Sequence, residues 1–113
     1  MTLFLKEEQV PEDKMIIHQR KIRYSENYAA FFEALTKVKA YFEQKNPEVS
    51  VDLMYSLAGE RGWAVIQTRY PSLAYYERID GEMDKDEIYA KLFESVMGNS
   101  GESPVDQFYR VIE

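Results

Sequence analysis

Gly59-Glu60-Arg61-Gly62-Trp63-Ala64-Val65-Ile66-Gln67-Thr68-Arg69-Tyr70-Pro71-Ser72-Leu73-Ala74-Tyr75-Tyr76 is the stretch on which the fold turns. Two glycines bracket a charged pair, the composition of a tight turn between strands. Trp63 to Tyr70 is rich in β-branched and aromatic side chains and reads as a strand. Pro71 has no backbone N–H for a ladder and ends it. Ser72 then offers an N-cap for a short helix through Tyr76, stopped near Asp80-Gly81.

Upstream, residues 49–58 alternate cleanly, with Val49, Val51, Leu53, Tyr55 and Leu57 on one face. They form a strand that the glycine turn joins to Trp63–Tyr70 as a hairpin. Residues 25–45 carry Tyr28, Phe31, Phe32, Leu35, Val38 and Phe42 at spacings of three and four, the stripe of a helix that Ser25 can cap. Asn46-Pro47 ends it. Residues 15–23 are the first strand, with Ile16, His18, Arg20 and Ile22 on one face and Ile17, Gln19, Lys21 and Arg23 on the other.

Downstream, a longer helix starts at about Asp84, where Asp84 and Glu87 have the spacing of a capping box. Its buried stripe is Ile88, Tyr89, Leu92, Phe93, Val96 and Met97. A loop over residues 99–104 leads to a last strand over 105–112. Residues 1–13 read as a loosely held arm, and residues 14–113 as one domain.

The order strand, helix, strand, strand, helix, strand predicts an α+β fold of the ferredoxin-like β-α-β-β-α-β type, with a four-stranded antiparallel sheet. Helices on one face leave the other uncovered, and that face is not simply polar. An apolar sheet face of this kind marks an interaction surface, and a second copy packed sheet to sheet about a twofold axis is the economical way to cover it. The expected partner is therefore the chain itself.

Composition narrows the function. The chain has 113 residues and a formal charge of −6, from 20 acidic and 14 basic residues, which argues against nucleic-acid and anionic-membrane partners. There is no cysteine, so disulfides, thiolate catalysis, zinc knuckles and iron–sulfur clusters are excluded. His18 is the only histidine, so neither a metal set nor a cofactor is expected. No apolar run approaches membrane-spanning length, and the expected location is cytoplasmic.

Residues Trp63 to Glu77, behind a glycine-bounded hairpin, resemble the third strand and following helix of dimeric α/β-barrel proteins. The resemblance is to the NIPSNAP-like and antibiotic-biosynthesis-monooxygenase-like branches, and the order of elements over residues 15–112 agrees with it. It implies a homodimeric barrel whose cavity binds a small molecule. The alternative it implies is a cofactor-independent monooxygenase or isomerase acting on a small aromatic substrate. Residues 61–68 also resemble the third-strand signature of RNA-recognition (RRM-like) domains, but Val65 and Thr68 stand where that signature carries rings to stack on bases.

Trp63, Gln67 and Arg69 lie two apart on one strand and must share a face; they are expected to point away from the helices. Together with Arg20 and His18 from the neighbouring strand they are the expected lining of the ligand cavity. The competing structural reading has Trp63 sealing a dimer core and Arg69 paired with a carboxylate at its rim. No nucleophile–base pair or nucleotide loop is present, and no catalytic residue is assigned.

Overall fold

The computed structural model describes residues 14–25, 27–59, 61–100 and 102–112, so the arm expected over residues 1–13 lies outside the described residues. Seven elements follow one another: β1 (Ile16–Arg23), α1 (Tyr28–Lys45), β2 (Ser50–Tyr55), β3 (Trp63–Tyr70), α2 (Leu73–Met83), α3 (Glu87–Met97) and β4 (Val105–Arg110). The strands make one antiparallel sheet in the order β2-β3-β1-β4. This is the ferredoxin-like arrangement that the order of elements predicts.

Gly59 and Gly62 both adopt positive φ, at 76° and 87°, in the turn between β2 and β3. An L side chain at either position would be strained, which is why this hairpin carries glycine. Pro71 ends β3 one residue before Ser72, whose Oγ accepts from the Tyr75 N–H and caps α2.

Three helix boundaries differ from the sequence reading. Asn27, not Ser25, caps α1, and the Ser25 hydroxyl instead donates to the Asn99 carbonyl. Helix α2 does not stop at Asp80-Gly81 but runs through Gly81 to Met83. Ile79 and Met83, four apart, are both buried, and that burial offsets the roughly 1 kcal/mol a helical glycine costs. Asp86, not Asp84, caps α3; its carboxylate accepts from the Ile88 and Tyr89 N–H groups and from the Tyr41 hydroxyl. The last two helices are thus equal in length and separated by a three-residue turn.

All three helices lie against one face of the sheet. One buried cluster joins Ile22 and Ala64 of the sheet to Phe31, Leu35, Val38 and Val96. A second joins Ile16, Val51 and Tyr70 to Phe42, Ile79 and Met83. Leu53, Ile66 and Tyr89 pack against both. Ala64 and Ile66 thus lie beneath Phe31, Leu35 and Phe93, as the smaller side chains of β3 predict. Tyr28 and Ile88, in the first turns of their helices, are exposed rather than part of the buried stripes.

Candidate functional site

The antiparallel register assigns every strand residue to a face. His18 stands opposite Thr68 and Phe108, and Arg20 opposite Ile66 and Asp106; all six point toward the helices. Gln19 stands opposite Gln67 and Gln107, on the other side of the sheet.

A cavity of about 590 Å3 lies between the helices and the inner face of the sheet. Its floor includes His18 and Arg20 of β1, Thr68 and Tyr70 of β3, and Phe108 of β4. Its roof includes Tyr76 of α2 and Tyr89 and Phe93 of α3. The volume is that of an ordinary small-ligand site, and a mostly apolar wall with a few convergent polar groups is the usual composition of one.

Asp106 organises the polar side of this cavity. Arg20 donates to it twice, from Nε to Oδ1 at 2.7 Å and from Nη2 to Oδ2 at 3.1 Å. His18 Nε2 lies 2.8 Å from the same Oδ1. Burial works to raise the Asp106 pKa, but the bonds from Arg20 and His18 outweigh it and hold the carboxyl below its ordinary value. An ionised carboxylate only accepts, so the proton of a neutral His18 sits on Nε2 and leaves Nδ1 as an acceptor. Burial works to lower the Arg20 pKa, and Asp106 outweighs it, so the guanidinium is held in its charged form.

Aromatic contacts fix the orientation of these groups. The His18 ring stacks on Phe108 with centroids 4.4 Å apart and the planes nearly parallel. Tyr76 meets Phe108 edge-on at 5.0 Å, and the Arg20 guanidinium lies over Phe93 at 5.3 Å. Deeper in, Thr68 and Tyr70 are 5% and 4% exposed, and neither hydroxyl has a hydrogen-bond partner among the described residues. Burial, with a smaller contribution from the Asp80 carboxylate, raises the pKa of Tyr70, Tyr76 and Tyr89. All three hydroxyls are therefore protonated at neutral pH.

The five residues expected to line one cavity do not come together. His18 and Arg20 line the cavity beneath the helices, whereas Trp63, Gln67 and Arg69 occupy the opposite face. Strand alternation is the reason: in this register even-numbered residues of β1 and β3 face the helices and odd-numbered ones face away. Trp63, 8% exposed, lies under Lys21 at 4.9 Å and Arg23 at 5.1 Å, and its indole N–H has no partner among the described residues. Arg69 pairs with Asp52 at 2.7 Å. Gln67 accepts a 2.7 Å bond from Gln19.

Asp106, Thr68 and Tyr70 were not singled out from sequence. Asp106 alternates with Phe108 in Val105–Arg110, but only the pairing of β4 with β1 places it against Arg20. Among the described residues no group of three or more His, Asp or Glu could hold a metal ion, and no helix is long and apolar enough to cross a membrane.

No family model and no curated protein sequence matches the chain. Solved structures do. A Caulobacter crescentus protein described as a candidate antibiotic biosynthesis monooxygenase superposes with a TM-score of 0.75 at 15% identity, over 94% of this chain and 97% of that one. A NIPSNAP family protein of unknown function from Agrobacterium tumefaciens gives 0.73 at 12% identity, over 89% and 91%. SnoaB, a cofactor-independent oxygenase from Streptomyces nogalater, gives 0.68 at 9% identity, over 88% and 95%. At such identities the likeness is one of fold: this chain has the ferredoxin-like α+β fold found in NIPSNAP and antibiotic-biosynthesis-monooxygenase proteins.

Proposed function

We propose that this protein is a homodimer that binds a small molecule in the cavity between its helices and its sheet. The observation that carries the binding reading is a 590 Å3 cavity into which two otherwise buried side chains, Thr68 and Tyr70, present hydroxyls that no described protein group occupies. A hydroxyl both donates and accepts, so these two can fix the orientation of a ligand in an otherwise apolar space. The test is titration with a neutral aromatic alcohol, tryptophol, followed by NMR of the protein. Shifts at cavity residues, lost in Ala90→Trp with the helical signal intact, support the reading. Ala90 is exposed on α3 and lines the cavity, so a large ring there blocks it without disturbing the core. Absence of shifts with millimolar tryptophol overturns the reading.

The likeness in fold to SnoaB makes a cofactor-independent oxygenase or isomerase the second reading, and one feature favours it. His18, with its proton held on the Asp106 side, presents Nδ1 as a base on a ring that lines the cavity. A base so fixed can take a proton from a phenolic or enolisable substrate. Dioxygen uptake with a phenolic probe, abolished in His18→Ala, supports it; uptake equal in both proteins excludes it.

The dimer reading rests on the outer sheet face. Gln107, Gln19, Gln67 and Asp52 form one row across all four strands. Met54, Val105 and Tyr109 are exposed on the flanking rows. An amide both donates and accepts, so a glutamine row can pair with its own copy across a twofold axis, as a row of like charges cannot. The occupant that fits this face is a second copy of the chain. Sedimentation showing a monomer at micromolar concentration overturns it.

A further inference from the structure

We propose that the cavity beneath the helices selects a cation: an organic amine carried on an aromatic or aliphatic body. The inference rests on the cavity being a ligand site and adds the charge of the ligand. Two cationic side chains line the cavity, and both are already neutralised. Asp106 holds Arg20 through two hydrogen bonds, and Glu43 holds the Lys39 ammonium at 2.8 Å. Three further carboxylates line it, Asp80, Asp84 and Glu94, and none has a hydrogen bond or ion pair through its side chain among the described residues. All three are solvent-exposed, so they act from the mouth of the cleft, where like charges give a negative potential that attracts a cation and repels an anion.

The walls add to this preference. Phe42, Tyr70, Tyr76, Tyr89, Phe93 and Phe108 line the space, and the face of an aromatic ring attracts cations. The protein already uses one in this way, with Arg20 lying over Phe93. The Thr68 and Tyr70 side chains line the cavity, and their hydroxyls can each accept an ammonium N–H. At Tyr70 and Tyr76 the negative charge of Asp80 outweighs the opposing charge of Arg20, whereas at Tyr89 Arg20 has the larger effect. An anionic ligand would meet the charge of Asp80 while finding the Nε–Nη2 edge of Arg20 already taken by Asp106.

Three indoles of one shape separate the sign of charge from binding itself: tryptamine (cation), tryptophol (neutral) and indoleacetate (anion). Each is titrated into the wild-type protein at neutral pH and followed by NMR of the cavity residues. Tryptamine is expected to bind on the order of tenfold tighter than tryptophol, with indoleacetate the weakest. The preference should collapse toward equality in Asp80→Asn/Asp84→Asn, while tryptophol binding stays unchanged. It should persist in Glu33→Gln/Glu102→Gln, which removes two charges that do not line the cavity. Tryptophol binding with no advantage for tryptamine, or with indoleacetate the tightest, overturns the proposal and leaves the ligand-site reading standing. An advantage that falls equally in both double variants also overturns it, as attraction to net charge alone. Failure of all three indoles to bind overturns the ligand-site reading and this inference with it.

Discussion

His18 Nε2 and Asp106 Oδ1 lie 2.8 Å apart although 88 positions separate them in the chain. The bond crosses the β1–β4 ladder on the diagonal, because the residue directly opposite His18 is Phe108. His18 therefore stacks on one residue of β4 and hydrogen-bonds to the next on the same face.

The first prediction concerns acid. The folded Asp106 carboxyl titrates below its ordinary value, since the bonds from Arg20 and His18 outweigh the opposing effect of burial. The unfolded chain therefore takes up this proton at a higher pH than the folded one. The stability so contributed is complete above the unfolded value, near about pH 4, and is lost as the pH falls through the folded value. Asp106→Asn should lower the urea midpoint by a constant amount from neutrality to about pH 5, and the gap should close at lower pH. A gap that is constant down to the acid transition would show that Asp106 is not held in its ionised form.

The second concerns Trp63. Its ring is buried under Lys21 and Arg23, and its N–H bonds to nothing among the described residues. Trp63→Ala should cost about 3–5 kcal/mol in chemical denaturation, as large-to-small core changes do. Trp63→Phe should cost less than half of that, because no hydrogen bond is lost and a ring remains beneath the two cations. Equal losses in both variants would require an unseen partner for the indole N–H.

The structure places Arg69 on the face of the sheet opposite the cavity. It is paired with Asp52 on the outer face, away from the helices. For the proposed dimer, Arg69→Ala should shift the balance toward monomer by up to about fivefold in sedimentation, the range of a partly exposed ion pair. Tryptophol binding should be unchanged. Loss of binding with the dimer intact would reverse the assignment of faces.

Asp86 is the fourth case. Its carboxylate caps α3 and accepts from Tyr41 on α1, so one side chain fixes the start of one helix against the flank of another. Asp86→Ala should lower the Tm and the helical signal together. Asp86→Asn, which keeps an accepting oxygen, should retain most of both. A variant with the Asp86→Ala substitution that melted like wild type would show the cap to be dispensable.

Much of the fold was legible because its signals are local. Alternation along residues 49–58, the Gly59 and Gly62 turn and the Pro71 stop each follow from the residues on the spot. The same alternation placed Trp63 and Arg69 away from the helices. The helix boundaries were less legible because they depend on partners distant in sequence: Met83 extends α2 past Gly81 by burial, and Tyr41 reinforces Asp86 as the cap. The cavity was legible only in part. His18 and Arg20 were singled out, but grouping them with Trp63, Gln67 and Arg69 joined residues that the sheet itself separates. Asp106 becomes visible only once β4 is laid beside β1, and no local pattern encodes that pairing.

Strand β4 pairs along one edge only, with β1, and each of its six residues is exposed. It is therefore the part of the sheet that unzips at the lowest free energy, well below that of global unfolding. Each unzipping withdraws Asp106 from Arg20 and His18 and lifts Phe108 from the cavity wall. The charge arrangement of the cavity and its accessibility are thereby tied to a single opening equilibrium. Amide exchange at Gln107 and Tyr109 should run faster than at Gln19 and Gln67, and a molecule that bridges Asp106 to the helices should slow it.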